Sequence, residues 1–283
     1  MSDPNDEVLI GRLVRAVGGV PGIRAIVLGG SRARGEATAA SDYDIGLYYD
    51  SAEPIDIGRL AKAAMLLPGA ASSSVTAVGE WGPWINGGAW LAVDGRRVDL
   101  LYRDLGKVGA VVADCRAGRI ERVYQPGHPH AFVSSIYMGE VALGRVLWDP
   151  DLVLAALKRQ CRPYPPALAE ALIRTFFWEA RFALENADHG RARQDPAYVA
   201  GCAFRSVACL CQSLFAHNRA WLLNEKGAVQ GVERLAIKPA NFARRVQQAV
   251  SAGAAGLPDL MALVEETAAH LNDPPSSSEE VPL

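Results

Sequence analysis

The residues best placed to do chemistry lie in VLGGSRARGEATAASDYDIGLYY, where an aliphatic run ends in Gly29-Gly30-Ser31 and Asp42 and Asp44 head the next apolar run. Ten residues separate Ser31 from Asp42. Two carboxylates at i and i+2 of a strand project to one face. Side by side they repel, and a divalent cation held between them relieves the cost. Gly29-Gly30 lets backbone N–H groups come close to a phosphate, and Ser31 adds a hydroxyl donor at the start of a short helix. This anion cradle is not a P-loop, because no GKS or GKT follows, nor a dinucleotide fingerprint, because GxGxxG is missing. A third carboxylate, Asp99, sits in RRVDLLY, where Val98 and Leu100 face the core and Asp99 points the other way with Arg97 and Leu101. Three strand carboxylates beside a glycine-serine loop are what two-metal phosphoryl transfer requires.

The elements that must position these groups follow from periodicity and turn signals. Residues 7–18 read as an amphipathic helix closed by Gly18-Gly19, RAIVLGG and SDYDIGLYYD as strands, and Ile55 to Leu67 as a helix stopped by Pro68-Gly69. WLAVDGRRVDLLYRD predicts a hairpin turning at Asp94-Gly95, in a register that sets Trp90 opposite Asp99. From 151 onward strand signals nearly vanish, and 151–161, 167–189, 197–223, 239–253 and 258–271 read as helices between proline and glycine breakers. The expected fold is an α/β (α+β) sheet domain over 1–150, with 126–150 as a connecting segment. An all-α helical bundle over 151–272 follows it. The tail 273–283 (DPPSSSEEVPL) is too polar and proline-rich to pack and is expected to be disordered.

The spacing of Gly30-Ser31, Asp42-x-Asp44 and Asp99 resembles the DNA polymerase β-like nucleotidyltransferases. A sheet domain followed by a helical bundle resembles the kanamycin-type antibiotic nucleotidyltransferases in particular, and the short spacer is also similar to the minimal nucleotidyltransferases of toxin–antitoxin pairs. The resemblance implies that Gly30 and Ser31 bind the β,γ-phosphates of a nucleoside triphosphate, with ATP the expected donor. It further implies that Asp42 and Asp44 hold two Mg²⁺ ions and that Asp99 completes the catalytic one. Arg34 is divided between a phosphate contact and a solvated helix face.

Such antibiotic-modifying enzymes take the acceptor proton with a Glu outside the metal triad, often on the first long bundle helix. Glu179 falls on the apolar stripe of that helix, where an acid is costly to ionise unless paired or functional. It is a candidate base, or a buried partner of Arg205, the lone charge in GCAFRSVACLCQSLF. Glu140 is the reserve base, and Glu185 pairs with Arg181 at helical spacing. The Lys that kanamycin-type enzymes place one turn after their Glu is Ala183 here, so Lys226 would have to serve.

The 283 residues are 50% hydrophobic and 21% charged, enough for a sizeable core, and low-complexity or collagen-like classes are excluded. The net charge is -2, and residues 151–283 carry 14 acids and 14 bases. That balance disfavours a nucleic-acid partner and a polycationic aminoglycoside acceptor alike. Partners are then a triphosphate and a small hydroxylated acceptor, an antibiotic among the candidates, with a homodimer compatible. A toxin-type transferase acting on tRNA or protein, and a non-catalytic nucleotide-binding regulator, are the alternatives.

Five scattered cysteines read as reduced thiols, with Cys202, Cys209 and Cys211 as core packing. The acidic N-terminus lacks signal-peptide features, and apolar runs such as GAVVADC stop well short of a membrane span, so the expected location is cytoplasmic without a membrane partner. His128 and His130 in PGHPH could bind a metal, but without nearby Cys or acid ligands in the sequence they read as loop residues. Trp81 and Trp84 are divided between core packing and stacking on a base or sugar.

Overall fold

The computed structural model describes residues 4–67, 69 and 74–272. Along the chain run α1 (Pro4–Val17), β1 (Ile23–Leu28), α2 (Gly30–Ala33), β2 (Tyr43–Tyr49), α3 (Ile57–Met65), β3 (Gly88–Val93), β4 (Arg96–Asp104) and α4 (Leu105–Arg116). There follow β5 (Arg122–Gln125), β6 (His128–Val133), α5 (Ser135–Leu143), β7 (Arg145–Trp148) and α6 (Val153–Gln160). The remainder is helical: α7 (Pro166–Ala192), α8 (Pro196–His217), α9 (Ala228–Val232), α10 (Phe242–Ser251) and α11 (Leu257–Asn272). An α+β sheet core with a helical C-terminal portion is the expected class.

The chain divides into two compact units that interleave along the sequence rather than meeting at residue 150. One holds residues up to Ala113 together with Tyr137–Arg162, and the other holds Asp114–Ile136 and the chain from Pro163 on. The expected disordered tail, 273–283, lies outside the described residues.

In the first unit a five-stranded sheet has the order β3-β4-β2-β1-β7. The β2–β4 pair is parallel and its neighbours are antiparallel. One sheet face is fully apolar, because Val98, Leu100 and Tyr102 of β4 and Tyr43, Ile45 and Leu47 of β2 alternate inward with α1 and α3 residues Leu13, Val17 and Leu60. The opposite face carries Asp44 and Asp99. The hairpin turns as predicted, with Asp94 (φ 49°) and Gly95 (φ 72°) both left-handed, and Trp90 pairs with Asp99.

The segment 126–150 is not a connector. His128–Val133 pairs with β5 in a second, two-stranded sheet that belongs to the helical unit, and Arg145–Trp148 adds a strand beside β1. Polar residues in HPHAFV and the shortness of RVLW hid both from pattern reading. The helix expected at 151–161 forms as α6 but joins the sheet unit, where Lys158 Nζ caps α5 by donating to the carbonyls of Val141, Ala142 and Gly144 at 3.2, 2.8 and 2.6 Å.

In the second unit α7 and α8 pack along each other, and α8 starts where Asp195 caps the Tyr198 N–H at 3.0 Å with Pro196 in the first turn. The helix predicted over 197–223 ends at His217, because Asn218 donates through Nδ2 to the carbonyls of Leu214 and Ile237 and its Oδ1 accepts from Ile237 N. Among the described residues α8 alone is long and apolar enough to cross a membrane, which corrects the expectation that every apolar run is too short. Within the protein 72% of that stretch is buried, the burial of a core helix.

Candidate active site

Six residues separated by up to 70 positions meet on the open face of the first unit because of strand register. Asp44 on β2 is the direct partner of Asp99 on β4, so the two carboxylates stand side by side, and Asp42 precedes them by one step of the pleat. Gly29 and Gly30 approach from the end of β1, with Gly29 N–H donating to the Asp44 carbonyl at 2.8 Å. Gly30 has φ +60°, and a Cβ built on it would fall 1.8 Å from Asp44 Oδ2. Only glycine permits this approach. Ser31 follows in the first turn of α2.

Burial and mutual repulsion both act on the strand pair Asp44 and Asp99. Burial first, then Asp44 and Asp42, pushes the Asp99 carboxyl up to about 6, with Arg97 opposing. Burial, Asp42 and Glu140 likewise raise Asp44, while Arg34 and Arg103 pull it back. Clustered oxygen donors whose charge is only partly compensated fit a hard divalent cation such as Mg²⁺. Arg97 Nε stands 2.6 Å from Asp42 Oδ1, and the largely exposed guanidinium can withdraw to solvent when a cation takes its place.

The other sequence candidates separate into those near this edge and those elsewhere. Arg34 is held by Glu36 at 2.9 Å and still lies close enough to favour the charged form of Asp44. Glu140, the reserve base, is instead bound on both oxygens by Arg103 at 2.7 and 2.8 Å, so its carboxylate is engaged in a bidentate pair. Glu179 belongs to the helical unit. Its Oε1 accepts from Arg205, the partner expected from sequence, and its Oε2 from Arg122 at 2.6 Å. Glu185 pairs with Arg181 at 3.1 Å as expected, and Lys226 is exposed ahead of α9.

Neither histidine of PGHPH is a loop residue. His128 and His130 lie on β6, where His128 Nδ1 is 3.2 Å from Glu225. His130, Glu179 and Cys209 turn one donor atom each to a common point, all within 4.8 Å, so this group could hold a metal ion. Its imidazole–thiol donor set suits zinc rather than Mg²⁺. Burial, with Glu179 beside it, raises the Cys209 thiol, and two arginines already satisfy Glu179.

Sequence reasoning missed the brace behind the glycine-serine loop. Arg32 lies over the Tyr43 ring at 3.8 Å, donates to the Ser41 carbonyl at 2.8 Å and pairs with Asp6 at 2.5 Å. Asp6 also accepts from Tyr43 Oη and from Arg96 at 3.1 Å, so the first turn of α1 fixes both ends of the spacer that runs from Ser31 to Asp42. Nothing in the order of residues marks Asp6 for this, since it lies 26 positions before Arg32.

Residues 11–105, which contain the glycine-serine loop and all three aspartates, match the model of the nucleotidyltransferase domain family. The segment is a nucleotidyltransferase domain. A crystal structure of a nucleotidyltransferase-like protein from Exiguobacterium sibiricum 255-15 is similar at 11% identity, covering 94% of this chain and 78% of that one, with a TM-score of 0.39. Comparison with curated proteins gives no match. The nucleotidyltransferase domain here includes the whole Gly30–Asp44–Asp99 row, and the helical unit lies beyond the matched residues.

Proposed function

We propose that the protein transfers a nucleoside monophosphate from a triphosphate, ATP the expected one, to a hydroxyl of a small acceptor and releases pyrophosphate. The observation that carries this is the row formed by the phosphate loop at Gly30, Asp44 and Asp99, three groups on adjoining elements of one sheet face. Gly29, Gly30 and Ser31 bind the β,γ-phosphates through N–H groups and the serine hydroxyl. Asp42, Asp44 and Asp99 would hold two Mg²⁺ ions, which supply charge neutralisation of the triphosphate and a more acidic acceptor hydroxyl. With a cation bound, Asp99 would stay ionised as its ligand, and the acceptor hydroxyl's proton would pass to water. The acceptor oxygen bonds to the α-phosphorus, the bond to the bridging oxygen breaks, and pyrophosphate leaves with that electron pair.

Arg103 and Glu140 pair within reach of Asp44, and the negative charge of Glu140 discourages Asp44 from ionising until a cation compensates it. Glu179, with both oxygens held by arginine, is assigned to the structure of the helical unit. The balanced charge of the chain supports an acceptor of low charge over a polycation, an antibiotic of that kind included, and five free cysteines support a reducing, cytoplasmic setting. The deciding experiment incubates the chain with each α-labelled triphosphate and Mg²⁺ against panels of antibiotics, total tRNA and lysate proteins. Label on a small molecule with pyrophosphate release is expected. Label only on tRNA or protein would replace the acceptor class, and no pyrophosphate release from any combination would overturn the reading.

A further inference from the structure

Beside the carboxylate row stands an aromatic surface that nucleotidyl transfer by the aspartates does not use. Trp90 of β3 is the strand partner of Asp99, so the two side chains project from the same face, and the indole is 62% exposed. Trp81 stacks on it with ring centroids 4.4 Å apart and planes at 21°. Gly88, two positions before Trp90, sits against the Leu100 carbonyl, 1.8 Å from where its Cβ would be, and the Trp81 ring closes over it, 3.1 Å from the same point. By contrast Trp84 is buried, edge-on to Tyr137 at 5.5 Å. Of the two tryptophans singled out in the sequence, one is core and the other backs an exposed indole.

Sheet order arranges these groups in a line. The phosphate loop leaves β1, Asp44 is on β2, Asp99 on β4 and Trp90 on β3, each about 4.8 Å from the next. In-line transfer puts the attacking oxygen on the side of the α-phosphorus opposite the leaving pyrophosphate. With pyrophosphate over Gly30-Ser31, the attacking hydroxyl lies at Asp99, and whatever carries that hydroxyl extends over Trp90. An exposed indole backed by a second ring is a rigid apolar platform that costs little entropy to present.

We propose that Trp90, braced by Trp81, is the acceptor platform, and that the acceptor is a ring compound, a sugar or cyclitol, whose apolar face lies on the indole while one ring hydroxyl reaches Asp99. The assignment of the near side to acceptor and not nucleotide rests on the nucleotidyl-transfer reading above.

The test uses the full chain with phenyl β-D-glucopyranoside as the ring probe, followed by saturation-transfer NMR and calorimetry, and MgATP titrated separately. Trp90 is exposed on a strand at the end of the sheet, so its replacement leaves the core intact. Wild type should bind the probe saturably, Trp90→Ala should weaken it about tenfold, the scale of one lost ring stack, and Trp90→Phe should restore most of it. MgATP affinity should be the same in all three. Absence of probe binding to wild type, or binding unaffected by Trp90→Ala, overturns the platform. Loss of MgATP affinity in Trp90→Ala also overturns it, because Trp90 would then hold the nucleotide. Failure of wild type to bind MgATP at all strikes the nucleotidyl-transfer reading instead, and the two failures are thereby distinguished.

Discussion

Gly30 and Asp44 are packed so closely that a methyl group on Gly30 would come within 1.8 Å of the Asp44 carboxylate oxygen. The glycine-serine loop and β2 are therefore one mechanical piece. Gly30→Ala must either push Asp44 aside or give up the φ of +60°, at a cost of about 1–3 kcal/mol for the strained backbone alone. We expect a lower melting temperature and a transfer rate reduced at least about tenfold, corresponding to ~1.4 kcal/mol. A variant with wild-type kinetics and stability would show that the loop and Asp44 are not coupled.

Asp42→Asn and Asp44→Asn each remove a carboxylate ligand without touching the core face of β2, where Tyr43 and Ile45 pack. Transfer should be abolished, circular dichroism unchanged, and the rise in melting temperature that Mg²⁺ with ATP gives the wild type should be lost. Turnover within about tenfold of wild type, ~1.4 kcal/mol, would remove these residues from the metal site.

Asp99 has a folded pKa of about 6 against an ordinary 3.8. Below 3.8 folded and unfolded chains are both protonated, between 3.8 and 6 the folded carboxyl holds more proton and stability falls as pH rises, and above 6 the full cost of the charge is present. In metal-free buffer Asp99→Asn should thus melt higher than wild type at pH 7.5 and equal to it near pH 4. Solvent on the open side screens the gain to about 1 kcal/mol or less, ~2–4 °C per kcal/mol for a protein of this size. Asp99→Ala should keep triphosphate binding in Mg²⁺ by calorimetry while losing turnover. Loss of both together would contradict the division of labour between Asp99 and the Asp42–Asp44 pair.

Glu179 is buried while its partners Arg122 and Arg205 are 39% and 53% exposed. Glu179→Gln leaves the arginines free to turn to solvent but forfeits two charge-assisted bonds, a loss of about 1–3 kcal/mol. The melting temperature should fall while kcat per folded molecule stays within about tenfold, since loss of a general base costs ~10²–10⁴ in rate. An unchanged melting temperature with a collapsed kcat would restore Glu179 as the base.

The order of residues marked the candidate site of this protein more fully than its architecture. Gly30-Ser31, Asp42, Asp44 and Asp99 stand out by local spacing, and local alternation also fixes which way Asp44 and Asp99 face, because the strand period of two is a property of the backbone. The Asp94-Gly95 turn set the Trp90–Asp99 register for the same reason: two residues that tolerate positive φ define a hairpin with no help from the rest of the chain.

What only tertiary structure decided are pairings across long separations. The parallel register that puts Asp44 beside Asp99, the addition of Arg145–Trp148 to the sheet, and the passage of 114–136 into the helical unit all depend on which apolar faces meet. The brace of Asp6, Arg32 and Tyr43 and the sharing of Glu179 between Arg122 and Arg205 arise the same way. A charged side chain chooses its partner by where burial leaves it, and burial is a property of the packed chain, not of its neighbours in sequence.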